Sequence, residues 1–79
     1  MTPKETIKSI SICANALAAM DAPNEETYWQ LKKELFNAER VWEQETPRYN
    51  WPKAMKSDLY KLSLIFQEAW QKITDYKHN

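Results

Sequence analysis

The chain has 79 residues, with 11 basic and 11 acidic side chains, one Cys and no Gly. That length allows one domain that buries only about 60 to 65% of its unfolded surface. The absent Gly removes tight sheet turns and phosphate-cradling loops, and the zero net charge removes the strong basic balance of a protein built to grip phosphate backbones. A single Cys cannot close an internal disulfide, so a cytoplasmic location is expected.

The first segment opens on Thr2 as N-cap, Pro3 at the first helical position and Glu5 as the capping-box partner. Ile7, Ile10, Ala14, Leu17 and Met20 follow at helical spacing, with small Ala16, Ala18 and Ala19 alongside for close helix approach. Asp21, Ala22 and Pro23 end it, predicting a helix over residues 3–20. Cys13, between Ile12 and Ala14, reads as a small buried hydrophobe.

The second segment starts from Asn24 as N-cap, with Glu25 and Glu26 where the helix dipole favours negative charge. Tyr28, Leu31, Leu35, Ala38 and Trp42 make its apolar stripe. Thr46 precedes Pro47 and is pushed out of the helical region, so the helix spans about residues 24–45. Residues 47–51 form a short linker.

The third segment is the clearest. Met55, Leu59, Leu62, Phe66, Ala69, Ile73 and Tyr76 alternate four-residue and three-residue steps, which puts all seven on one stripe of a helix over residues 52–76. Pro52 suits its first position, with Asn50 or Trp51 as cap. Short connections force neighbouring helices to run antiparallel, so the expected fold is all-α: an antiparallel up-down-up three-helix bundle in one domain, residues 1–79. An uncovered face on such a bundle would let a second copy dock as a homodimer.

Charge is partitioned between segments. Residues 24–46 hold six Glu against Lys32, Lys33 and Arg40, and residues 47–79 hold six Lys or Arg against Asp58, Glu68 and Asp75. The asymmetry predicts that the second and third helices are neighbours.

Catalytic equipment is sparse. His78 stands next to the chain end, where a base is poorly held, and Cys13 has no His nearby in sequence. One Cys and one His cannot supply a zinc or di-iron site, and Glu39 with Glu43 reads as a solvated acidic face. No enzyme, cofactor or metal site is expected, and the opening residues match neither a signal peptide nor a membrane span.

Apolar and aromatic residues off the stripes carry the functional expectation. Trp29 and Phe36 project about 120 to 150° from the centre of the second helix's stripe. Tyr60 and Leu64 lie opposite the third helix's stripe, in a row with Lys53 and Lys56. The linker adds Arg48, Tyr49 and Trp51, either as contact residues or as a cap over the open end of the bundle. Aromatics rimmed by bases are the composition of protein interfaces. A small protein-binding module is therefore expected, an inhibitor or modulator of the kind phages and mobile elements carry against host enzymes or defence complexes. The rival expectation is a nucleic-acid-binding accessory protein that uses the linker and the basic third helix. Its bases do not form one stripe, since Lys61 and Lys72 fall on one side, Lys53 and Lys56 on another and Lys77 toward the core.

Overall fold

The computed structural model describes residues 2–78, with His78 described by its backbone alone, so the idle role expected of the His78 side chain lies outside the described residues. The chain forms α1 (Pro3–Ala18), α2 (Glu25–Glu45), one 3₁₀ turn (Arg48–Asn50) and α3 (Lys53–His78), in an up-down-up bundle with no strand among the described residues. Its extents of 44 × 20 × 17 Å match the roughly 39 Å expected of α3's 26 residues at about 1.5 Å each.

Local chemistry sets each boundary. Thr2 Oγ1 accepts from the Glu5 backbone N–H at 3.2 Å, while the reciprocal arm of the expected capping box, from the Glu5 carboxylate, is not made among the described residues. Asn24 Oδ1 accepts from the Thr27 N–H at 3.0 Å and caps α2. Thr46 is extended ahead of Pro47, as its position requires. α3 begins at Lys53 rather than at Pro52. The Pro52 carbonyl accepts from the N–H groups of Met55 and Lys56, so proline holds the cap position itself and neither Asn50 nor Trp51 caps the helix.

The core gathers Ile7, Ile10, Ala14, Leu17 and Ala18 from α1, Tyr28, Leu31 and Ala38 from α2, and Met55, Leu62, Phe66, Ala69 and Ile73 from α3. Leu35, Trp42 and Leu59 are half-buried against it. α1 lies closely against both partners, because Ala14 and Ala18 let backbones approach. α2 and α3 stand further apart, spaced by rings: Tyr28 meets Phe66 edge-on at 5.7 Å and Trp70 tilted at 5.2 Å.

Helix length explains where the expected stripes fail. α1 stops at Ala18, whose carbonyl accepts from Lys72 Nζ. Beyond that level α3 has no α1 to face, so Tyr76 is exposed despite lying on the stripe. Met20, past the end of α1, is exposed for the same reason. Cys13 is exposed too, a correction to its expected burial. It sits about 60° from Ile10 on the helical wheel. Of its immediate neighbours Ala14 is buried but Ile12 is outside, so apolar neighbours in sequence did not make an apolar environment.

Candidate interaction face on α2 and α3

Two contacts fix the register of α2 against α3. Tyr28 lies against Phe66 and Trp70, and Glu25 takes a hydrogen bond from Lys77. The helices are antiparallel, so Phe36, eight residues beyond Tyr28, comes level with residues 58–62 of α3. Trp29 reaches α3 directly, its ring 5.5 Å from that of Trp70 and 5.1 Å from that of Tyr28, both edge-on. The seam that joins the helices therefore runs from the Trp29 end toward the level of Tyr60.

Along the outer side of this seam four large apolar side chains face water. Trp29 is 52% exposed, Phe36 58%, Tyr60 66% and Leu64 46%. At the seam itself an open hollow of about 290 Å3 is lined by Tyr28, Phe66 and Trp70 with Lys32, Ser63 and Gln67 around them. Burial pushes the Tyr28 phenol above its ordinary pKa, so the hollow keeps a neutral aromatic wall. The Lys32 ammonium stands 5.5 Å from the Phe66 ring centroid, and the Arg40 guanidinium 5.8 Å from that of Phe36.

The linker residues divide. Trp51 is buried, which corrects its expectation as a contact residue and agrees with the other expected role, a cap over the end of the bundle. Its indole stacks on Trp42 with centroids 4.3 Å apart and planes 8° from parallel, and its Nε1–H donates to the Thr46 carbonyl at 2.9 Å. Arg48 covers the assembly, its guanidinium 4.6 Å from the Trp51 ring centroid and within 3.6 and 3.5 Å of the Glu39 and Glu43 carboxylates. Trp51 is thus the lid of the last core layer. Tyr49 is left outside, and Lys53 and Lys56 are exposed at the start of α3. Arg48, Tyr49, Trp51, Lys56 and Leu59 surround a second open hollow of about 580 Å3.

Lys32, Lys33 and Arg40 were missed as members of this face. The acidic average of α2 hid them, yet at about 100° per residue they fall on the same side as Trp29 and Phe36. Trp70 was missed as well, being half-buried one residue off the α3 stripe. The charge partition did point to real neighbours, because Lys77 and Glu25 join α3 to α2.

Among the described residues no group of three or more His, Cys, Asp or Glu is placed to hold a metal ion, and no helix is long and apolar enough to cross a membrane. A scan against protein-family models, a search of curated proteins and a search of solved structures return no match to this chain.

Proposed function

We propose that this chain is a non-enzymatic protein-binding module that docks another protein on the outer face of α2 and α3. The observation that carries the reading is the set Trp29, Phe36, Tyr60 and Leu64, four of the bundle's exposed large apolar side chains, each about half or more exposed on the outward sides of α2 and α3. Exposed apolar side chains gathered on one side of a protein mark interaction sites, and aromatic side chains are the commonest energetic anchors within them. An inhibitor or modulator of a host enzyme or defence complex, encoded by a phage or mobile element, is the narrower form of the same proposal.

The test is a pull-down from host lysate with wild type and with the Tyr60→Ala, Leu64→Ala variant, both checked for helicity by circular dichroism. The reading expects proteins recovered by wild type to be lost with the variant. Equal recovery of every protein by both removes the face from the argument. Light scattering on the free chain separates the homodimer, which would use the same side chains and appear as twice the 9.4 kDa mass.

A further inference from the structure

The bases of this neutral chain are not spread evenly around it. At about 100° per residue, Lys32, Phe36, Trp29, Arg40 and Lys33 fall within an arc of about 100° on the side of α2 away from Leu31. On α3, Lys56, Tyr60, Lys53 and Leu64 fall within about 80° on the side away from Leu62. All five of these bases are exposed, and none has a carboxylate within 4.0 Å among the described residues. The acids near the same face are already occupied or stand at its edge. Glu25 is held by Lys77 and Glu43 by Arg48, while Glu26, Glu68 and Asp75, the last accepting from Gln71 Nε2 at 3.0 Å, lie at the margins with their charge uncompensated.

An apolar row flanked by unpaired cations selects its partner by charge. We infer that the α2 and α3 face, if it docks protein as proposed above, receives an amphipathic helix whose apolar stripe is bordered by Asp and Glu. An apolar side chain of that helix enters the hollow walled by Tyr28, Phe66 and Trp70, and its carboxylates meet Lys32, Arg40 and Lys56. A second copy of the chain is the poorer occupant. A two-fold dimer sets a patch against itself, and here that brings bases against bases.

Three labelled probes test this by fluorescence anisotropy on the full chain: a synthetic helical peptide with a Leu stripe and Glu borders, the same stripe with Lys borders, and a mixed-sequence single-stranded oligonucleotide. The Glu-bordered peptide is expected to bind about tenfold or more tighter than the Lys-bordered one, with affinity falling as salt rises. The Lys32→Glu, Arg40→Glu, Lys56→Glu variant is expected to erase that preference. Lys32→Gln, Arg40→Gln, Lys56→Gln serves as the milder change if charge reversal disturbs folding, and is expected to narrow the preference. Equal binding of the two peptides overturns the acidic partner while leaving protein docking standing. Tighter binding of the oligonucleotide, or no binding of the Glu-bordered peptide, overturns the inference, as does a dimeric free chain that loses its dimer with Tyr60→Ala, Leu64→Ala. The broader reading fails separately, on equal recovery in the pull-down.

Discussion

Trp51 and Trp29 are the same residue type put to opposite uses. At the linker end, Trp51 has one face stacked on Trp42, the other under Arg48, and its N–H bonded to the Thr46 carbonyl. Every interaction the side chain offers is taken. On the outer face, Trp29 leans edge-on against Tyr28 and Trp70 and leaves 52% of its surface in water, with Phe36 and Tyr60 more exposed still. A small bundle has limited apolar surface to spare for its core, so aromatics left outside in a row point to recognition, while those used to shut an open end serve stability.

Substitutions at the two places should separate in the same way. Trp51→Ala opens the end of the bundle, strands the Trp42 ring and frees the Thr46 carbonyl. We expect a loss of about 3 to 5 kcal/mol, enough to lower the thermal midpoint of a chain this size by more than about 10 °C. Trp51→Phe keeps an aromatic ring against Trp42 but loses the donor to Thr46 and part of the buried indole, with an expected cost of about 1 to 2 kcal/mol in urea unfolding. If the two variants melt alike, the stack contributes little and Trp51 is not a lid. On the outer face, Tyr60→Ala and Leu64→Ala should each shift stability by about 0.5 kcal/mol or less, and Trp29→Ala by about 1 kcal/mol because of its edge contacts. A Tyr60→Ala chain that unfolds as readily as Trp51→Ala would break the comparison, since it would make the outer ring structural.

Periodicity made the three helices legible because a bundle rewards one repeating pattern, and the α3 stripe is buried or half-buried from Met55 to Ile73. The pattern failed where it assumed a partner that the neighbouring helix was too short to provide, at Tyr76 and Met20. Four exposed apolar residues were visible as surplus to the stripes. Trp51 was not separable from them, because its fate depends on a stack with Trp42, nine positions away across a turn, and on a carbonyl that becomes an acceptor only after Pro47 ends α2. The bases on the α2 face were hidden by a different limit: segment charge averages over all sides of a helix, and recognition reads one side.

The smallest expected effect lies at the end of the bundle opposite the Trp51 lid, where Lys77 reaches Glu25 in the first turn of α2. The hydrogen bond from Lys77 holds the Glu25 carboxyl below its ordinary value of 4.5. A carboxylate whose pKa is lower folded than unfolded contributes stability above the unfolded value, and that contribution disappears as pH falls through the lowered folded value. Wild type and Glu25→Gln should therefore differ slightly in thermal midpoint at pH 7, with wild type the higher, and converge once the pH has fallen below the lowered folded value. The bases of the outer face have no carboxylate within 4.0 Å among the described residues, so Lys32→Gln should give a difference from wild type that changes little over the same acid range. A Glu25→Gln difference that persists unchanged at low pH would mean that the tie acts through packing and not through charge, and the two ends of α2 would then be held by the same kind of force.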